Sequence, residues 1–339
     1  MGRRKRVLVV LITALMFQNS LAQTIFNIPL IKNQDFPTVV PGGEAIGIKL
    51  YTKGLLVIET ASFEDNKGNV VSPAVTAGVK QSDIVISVNG EPLADNSQLA
   101  EAAQKGDVSL KILRNSAEQT VNITPVTGKD GSKKIGLWVR DSAAGIGTLT
   151  FKRTDNNKFA ALGHGIIDCD VKSTYLIKDG SIQKAKVVSV VKGKKGSPGE
   201  LKGIFADDSV FTGTIEKNDA DGIYGVLNTL DSGEPVEIAS KWEVCEGSAQ
   251  IICSIGEEKK AYDIEIESVS PLNTFNSKSM IIRVTDNELL EKTGGIVQGM
   301  SGSPIMQNGK LVGAVTHVFV NDPTKGYGIF AQTMLEMTR

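Results

Sequence analysis

The stretch that decides how this chain is organised reads Gly294-Gly-Ile-Val-Gln-Gly-Met-Ser-Gly-Ser-Pro304, and Ile305-Met-Gln-Asn-Gly-Lys-Leu-Val-Gly-Ala-Val315 follows it directly. Gly299 and Gly302 frame Ser301, and the Asn-Gly pair in the second stretch predicts a hairpin turn that leads into an apolar strand. A serine on such a loop is accessible to a carbonyl carbon, as nucleophilic acyl transfer requires. The amides of Gly299 and Ser301 are the candidate oxyanion donors. The alternative is a plain turn between two strands.

A serine nucleophile needs a general base, and the chain has only 2 histidines. His164 lies between two glycines at the end of the apolar run 159–163, in a predicted loop. His317 lies inside a predicted strand. The pattern favours His164 as the base and His317 as a strand residue near the site or in a substrate pocket. The alternative that His317 is the base stays open.

Four separated motifs, in this order along the chain, resemble the SpoIVB peptidase family, serine peptidases with a PDZ domain that act in endospore formation. The motifs occupy residues 136–147, 159–167, 194–200 and 293–320. The resemblance extends from residue 37 to the C-terminus.

The resemblance implies a catalytic triad of His164 as base, Asp286 as orienting acid and Ser301 as nucleophile. Asp168 and Asp170 are rivals for the acid, but both crowd His164 in sequence and are more typical of polar loop residues. The order His, Asp, Ser is also that of chymotrypsin-like proteases, whose triad chemistry does not fix the fold. No cofactor and no metal ion are expected.

The first 22 residues begin with basic side chains and continue with an apolar run over residues 7–17. That run is shorter than the ~20 residues that span a bilayer. We therefore expect residues 1–22 to be a signal peptide or a membrane anchor, and the protein to be exported. Residues 23–36 are expected to be a linker. The resemblance implies self-cleavage in this zone.

Residues 37–127 are similar to a bacterial PDZ domain. The expected elements are a strand, a short helix closed by Gly78, a second strand ending in an Asn-Gly turn, a second helix and two closing strands. A PDZ domain adds an extended peptide to its sheet and receives the terminal carboxylate in a loop. The expected loop is Gly47, Ile48, Lys49 and Leu50, and its ligand is a partner's tail or the chain's own N-terminal segment.

Residues 128–339 contain many short β-type segments and almost no helical pattern, which predicts an all-β barrel or sandwich. The complete fold expected is mainly β, with a PDZ domain followed by a chymotrypsin-like double β-barrel. His164 would come from the first half, Ser301 from the second, and the cleft between them would hold the substrate. Of the three cysteines, Cys245 and Cys253 are the pair that a hairpin would bring together.

Function follows from the charge balance and the resemblance together. The chain has 37 basic and 38 acidic residues, which does not favour a nucleic-acid partner. The resemblance implies an exported, membrane-associated serine endopeptidase in the intermembrane space around a forespore. It would cut a membrane-bound regulator of an intramembrane protease complex and so trigger maturation of a late sigma factor. The alternative is an inert adaptor that signals through its PDZ domain.

Overall fold

The computed structural model describes residues 36–93, 95–168, 170–171, 177–206, 212–228, 233–272 and 277–339. Residues Pro37–Arg339 form one compact unit. The predicted signal or anchor segment 1–22, and the predicted linker up to residue 35, lie outside the described residues. Within the described ranges no helix has the length and apolar character needed to cross a bilayer.

Strands dominate, and the prediction of a mainly β chain with barrels is confirmed. In chain order the described strands are β1 (Val39–Pro41), β2 (Ala45–Thr60), β3 (Phe63–Glu64), β4 (Val70–Val71), β5 (Ile84–Val88), β6 (Glu91–Pro92), β7 (Val108–Arg114), β8 (Ala117–Ile123), β9 (Val126–Thr127), β10 (Lys133–Lys134), β11 (Leu137–Arg153), β12 (Lys158–Ala161), β13 (Ile177–Val191), β14 (Glu200–Phe205), β15 (Thr212–Asp219), β16 (Gly222–Leu227), β17 (Gly247–Ser254), β18 (Lys259–Val269), β19 (Met280–Val284), β20 (Pro304–Gln307), β21 (Lys310–Phe319) and β22 (Asp322–Phe330). The described helices are α1 (Pro73–Thr76), α2 (Asn96–Lys105), α3 (Asn287–Thr293) and α4 (Ala331–Glu336).

The first barrel is closed by six antiparallel strands. Pairing runs from β2 through β11, β12, β16, β15 and β13 and returns to β2. Large aliphatic and aromatic side chains from these strands fill the interior, and burying them is the main favourable term in folding. The fully buried ones include Ile46, Leu50, Phe159, Ile182 and Ile223.

The second barrel also has six strands, paired in the order β17, β18, β19, β22, β21 and β20, with β20 returning to β17. In β18, Tyr262, Ile264 and Ile266 are buried and alternate with exposed residues, as expected for a strand with one face in a core. Asn308 and Gly309 join β20 to β21 with φ of 52° and 77°. These positive angles are those of the hairpin turn that the sequence predicts.

Both barrels have the same strand order. If the six strands of each barrel are numbered 1 to 6 along the chain, the paired strands in both barrels are 1–2, 2–3, 3–6, 6–5, 5–4 and 4–1. His164 follows the third strand of the first barrel, and Ser301 precedes the fourth strand of the second. Corresponding connections of the two barrels therefore carry the two predicted catalytic side chains.

A small α/β module, residues 55–136, is inserted between the first two strands of the first barrel. We call it the inserted module. Its strands β5, β7 and β8 continue the sheet from the far end of β2. Asp95 caps the N-terminus of α2, because its carboxylate accepts from two amides of the first turn. Gly78 follows α1 with φ of 86°, and Asn89 and Gly90 form the turn after β5. These elements match those expected from the sequence.

The four residues predicted as a carboxylate-binding loop are placed differently. Gly47, Ile48, Lys49 and Leu50 lie inside β2 and pair with β11 on one side and with β13 on the other. Their strand has no open edge to receive a peptide, so they cannot form that loop. The cause is topological, because β2 is the first strand of the barrel before it enters the inserted module. The predicted domain boundary between residues 127 and 128 likewise does not separate the inserted module from the first barrel, because β2 pairs with strands of both.

Cys245 and Cys253 are free thiols, in contrast to the disulfide considered for them. Cys253 lies in β17 and faces Lys260 of β18 across the hairpin, whereas Cys245 lies just before β17 on the same run of chain. An extended strand rises ~3.3 Å per residue, and a disulfide requires Cα atoms within ~7 Å. The strand therefore keeps the two thiols apart.

Candidate active site

Ser301 lies on the tight loop between α3 and β20. Gly299 and Gly302 both have φ of 96°, a backbone conformation that residues with a Cβ adopt only at a cost. Ser303 closes the loop, because its hydroxyl donates to the Met300 carbonyl at 2.6 Å. The predicted glycine-framed serine loop is present.

Two threonines of β11 hold this serine loop against the first barrel. The Thr148 amide donates to the Ser301 carbonyl at 3.0 Å, and the Thr148 hydroxyl donates to the Gly299 carbonyl at 2.8 Å. The Thr150 hydroxyl donates to the Gly302 carbonyl, also at 2.8 Å. Neither threonine was predicted from the sequence as a site residue. Their signal was two hydroxyl residues two positions apart, and therefore on one face of a predicted strand, where a buried hydroxyl must find a partner.

His164 lies in the loop after β12, and its ring orientation is fixed by its own backbone. Nδ1 is 2.9 Å from the Gly165 carbonyl oxygen. A carbonyl only accepts, so Nδ1 carries the proton and Nε2 of the neutral ring keeps its lone pair. Burial lowers the pKa of His164, and the hydrogen bond to Gly165 opposes this shift. The ring is therefore neutral near pH 7, as a general base must be.

A hairpin of the first barrel fixes the backbone of the His164 loop. Asn218, at the end of β15, accepts from the Ile166 amide at 2.7 Å and donates to the Ile166 carbonyl at 2.9 Å. The Gly165 amide donates to the Ala220 carbonyl at 3.2 Å. Asn218 was also missed, because no local sequence pattern links it to a loop about 50 residues away.

Ser301 and His164 each contact the Thr316–His317 segment of β21. The Ser301 hydroxyl donates to the Thr316 carbonyl at 2.7 Å. The next residue, His317, places its ring 4.8 Å from the His164 ring, centroid to centroid. One short segment of one strand thus adjoins the predicted nucleophile and both candidate bases. The serine proton therefore points to Thr316.

His317 is also neutral near pH 7. Burial lowers its pKa to about 4, and the proximity of His164 and Lys278 contributes in the same direction. Protonation alone therefore does not distinguish the two histidines. The hydrogen bond to Gly165 distinguishes His164, since it fixes which ring nitrogen is available to accept a proton.

Asp286 is placed at the start of α3, where it caps the helix. Its Oδ1 accepts from the Leu289 amide at 2.9 Å, and its backbone amide donates to the Asp263 carbonyl at 3.0 Å. In the part of the chain that the structure describes, no hydrogen bond or ion pair joins Asp286 to either histidine. The structure therefore places His164 and Ser301 beside the same segment of β21, whereas Asp286 has other partners.

The rivals for the acid, Asp168 and Asp170, both bind Arg140 of β11. Arg140 donates through Nη1 to Asp168 and through Nη2 to Asp170, the latter at 2.8 Å. The Asp168 carboxylate also accepts from the Asp170 amide at 2.9 Å and from the Val171 amide at 3.2 Å. Through these hydrogen bonds Asp168 stabilises the turn that follows His164 in the chain.

The amides of Gly299 and Ser301 remain available as oxyanion donors. Neither donates a hydrogen bond to any described residue, whereas Met300 between them donates to the Val297 carbonyl. These two amides, one on the serine itself and one two residues before it, stay the candidate oxyanion donors.

A two-barrel protein with a glycine-framed serine beside a neutral histidine has the ingredients of a serine-type protease. The chain matches the model of the family SpoIVB peptidase S55 over residues 131–335, which is more than half of its length. The chain belongs to this family and is a serine-type protease, as the sequence analysis expects.

Two solved structures of Rv3671c protease from M. tuberculosis resemble the chain. The inactive form has 14% identity and a TM-score of 0.34, covering 56% of this chain and 81% of that one. The active form has 14% identity and a TM-score of 0.35, covering 56% and 71%. These scores are too low to support an argument about this chain. No functionally curated protein matches it.

Proposed function

We propose that the chain is an exported serine endopeptidase in which Ser301 is the nucleophile and His164 the general base. The observation that carries this proposal is that both side chains adjoin the Thr316–His317 segment of β21. Nε2 of His164 accepts the Ser301 proton as the hydroxyl attacks the substrate carbonyl, and it later gives that proton to the leaving amine. The Gly299 and Ser301 amides stabilise the oxyanion.

Asp286 acts on this site through α3 in our proposal. The family resemblance implies that Asp286 orients the histidine, and this stays a prediction. Its hydrogen bonds support a positioning role, because α3 leads directly into the serine loop. The Gly165 carbonyl then fixes the tautomer of His164, the task that a triad carboxylate performs elsewhere.

The architecture that we propose is a chymotrypsin-like double barrel with the substrate in the cleft between the barrels. The shared strand order supports it, as does the position of His164 and Ser301 in corresponding connections. The inserted module is proposed to be a regulatory PDZ domain, which the order of its helices and strands supports. Its ligand is a partner's tail or the chain's own N-terminal segment.

The proposed place of action is the intermembrane space around a forespore, with membrane attachment through residues 1–22. The proposed substrate is a membrane-bound regulator of an intramembrane protease complex, whose cleavage triggers maturation of a late sigma factor. Family membership supports this role. Self-cleavage within residues 23–36 is proposed as well.

The experiment that tests the enzyme is labelling of the full chain with a fluorophosphonate, which forms a covalent bond to an activated serine oxygen and releases fluoride. Wild-type protein should be labelled and Ser301→Ala should not. Ser248→Ala is the matched control, because Ser248 is an exposed serine of β17 in the same barrel, and it should be labelled like wild type. Mass spectrometry of wild type and Ser301→Ala, each incubated alone, tests self-cleavage and gives its position.

Two alternatives have their own outcomes. Folded wild-type protein that resists labelling would favour an adaptor that acts through the inserted module. Labelling that survives His164→Ala but is lost in His317→Ala would assign the base to His317, which lies beside the same serine loop.

A further inference from the structure

The edge of the inserted module next to α2 is occupied by the chain's own strand. Residues 137–140 of β11, which we call the groove strand, pair with residues 56–60 of β2, and β2 pairs with β5 on its other side. Leu137 and Val139 pack against the core of the module, whereas Trp138 between them is 65% exposed. The groove strand therefore adds one strand to the edge of the module's sheet, and every second side chain of it packs into the core of the module.

The groove strand and the barrel part of β11 pair with β2 in two separate ladders. Residues 142–148 of β11 form a second ladder with residues 45–51 of β2, and the register is interrupted between Arg140 and Ser142. At the interruption, Asp141 of β11 lies opposite residues 52–55 of β2. Gly54 has φ of 94° there, a marker of a strongly bent strand. Two short ladders joined at such a bend can open independently.

Arg140 connects the groove strand to the His164 loop. It follows Val139 directly, and its guanidinium binds Asp168 and Asp170. The Asp168 side chain is fully buried, and its carboxylate folds the turn that begins four residues after His164. Removing the cation from a buried carboxylate is costly, so the loop depends on where the groove strand holds Arg140.

We propose that Arg140 is a positioning residue for His164, and that the groove strand makes this positioning depend on what occupies the groove. An extended peptide with apolar side chains two residues apart, in the pattern of Leu137 and Val139, replaces the groove strand. Arg140 then moves away from Asp168, the His164 loop loosens, and turnover falls. This coupling rests on the proposed role of His164.

The first test is a competitor, an acetylated octapeptide with the sequence of residues 135–142 except for phenylalanine at its tryptophan position and alanine at its arginine position, added to the full-length Trp242→Phe variant. The chain has 2 tryptophans, so this variant leaves Trp138 as the only fluorescent reporter of the groove strand. The peptide should change the Trp138 emission and lower kcat about tenfold with little change in KM. A peptide with aspartate at the two apolar positions should do neither. A change in Trp138 emission with unchanged kcat would overturn the coupling.

The second test uses substitutions in the chain itself. Leu137→Asp should release the groove strand and lower kcat without peptide, whereas Trp138→Ala, exposed on the same strand, should not. Arg140→Ala should lower kcat about tenfold, and Arg140→Lys should recover part of the loss, since a lysine keeps the charge but not the two-pronged geometry. Normal kcat in folded Arg140→Ala would overturn the proposal.

A third measurement separates this proposal from the proposed function. Amide hydrogen exchange of residues 165–168 and 170 is followed in the Ser301→Ala variant, which needs no activity. The competitor should speed exchange there about tenfold and leave the second barrel unchanged. Unchanged exchange would refute the link between the groove and the loop, even in a chain that fluorophosphonate labels normally.

Discussion

At the scale of single residues, the chemistry of the site depends on which protons are fixed. A backbone carbonyl holds the Nδ1 proton of His164, and burial keeps its ring neutral. Ser301 donates its own proton to Thr316, so the described state is a resting one. In the proposed mechanism the Ser301 hydroxyl must leave the Thr316 carbonyl before it gives its proton to His164.

The pH dependence of turnover should report His164. Its pKa lies below the ordinary value of 6.5, and catalysis needs the neutral ring, so kcat/KM should rise with pH through a midpoint below 6.5. A fluorogenic peptide assayed across a pH series measures this midpoint. A midpoint above 6.5 would mean that a carboxylate or another anion stabilises the charged ring.

The role of Asp286 can be separated into capping and catalysis. Asp286→Ala should lower the free energy of unfolding by about 1 kcal/mol, whereas Asp286→Asn should keep most of that stability, because asparagine caps helices as well as aspartate does. Activity of the asparagine variant should stay within a few fold of wild type if Asp286 only positions α3. A triad carboxylate replaced by asparagine instead loses about 10⁴ in kcat, and such a loss with unchanged melting would assign Asp286 to the triad.

At the scale of elements, β11 connects three parts of the molecule. Its first residues fill the groove of the inserted module, Arg140 reaches the His164 loop, and its later threonines bind the serine loop. One strand therefore contacts the inserted module, the His164 loop and the serine loop. A displacement at its start has a direct physical route to the site.

The contact between the serine loop and β11 leaves no room for a side chain at Gly302. A Cβ there would lie 2.1 Å from the Thr148 carbonyl oxygen and 2.5 Å from the Leu162 amide nitrogen, both backbone atoms. Gly309 also has a positive φ, but a Cβ there meets nothing within 4 Å. Gly309→Ala should cost about 1–2 kcal/mol from the backbone alone.

Gly302→Ala should cost about 1–3 kcal/mol more than Gly309→Ala because of the added overlap, and it should also abolish fluorophosphonate labelling. Denaturant unfolding of the two variants measures the difference. Equal losses of stability would show that the serine loop moves freely away from β11.

At the scale of the whole molecule, two barrels of one topology bring together residues that are 137 positions apart in the chain, His164 and Ser301. Two clusters of buried apolar residues fill the barrels, and the larger one includes residues from strands of both. His164 and Ser301 lie in corresponding connections of the two barrels. The neutral histidines at this junction also affect the stability of the whole protein.

Stability should fall as the pH is lowered from about 6.5 toward 4. His317 has a pKa of about 4 in the folded chain against 6.5 when exposed to solvent, and His164 is shifted in the same direction. The unfolded chain thus binds more protons in this window, so stability is complete above 6.5 and decreases until the folded protein also takes up the proton. Urea unfolding of His317→Asn should show a shallower decrease than wild type over the same window.

Losses below pH 4 have another cause. Hydrogen bonds and ion pairs hold the pKa of Asp130 and of Glu288 at about 2, so those carboxylates lose their contribution only in stronger acid. A His317→Asn variant that follows the wild-type curve between 6.5 and 4 would show that the histidine pair does not control acid stability.

The sequence alone determined the local features of this protein. Alternating apolar residues predicted the strands, Asn308-Gly309 predicted its turn, and the spacing of helix and strand signals predicted the elements of the inserted module. The glycines around Ser301 and the scarcity of histidines indicated the nucleophile and its candidate bases. Each of these features depends on interactions between neighbouring residues, which a short stretch of sequence displays.

Only the tertiary structure decided how distant segments share strands and loops. It placed Gly47 to Leu50 inside a barrel strand instead of a peptide-binding loop. It showed that Asp286 caps α3. It also showed that Thr148 binds the serine loop and that Asn218 and Arg140 bind the His164 loop. Strand order and long-range hydrogen bonds result from the packing of two cores against each other, and no local pattern encodes which distant carbonyl a hydroxyl will meet. This is why the residue types of the site were readable from the sequence while their partners were not.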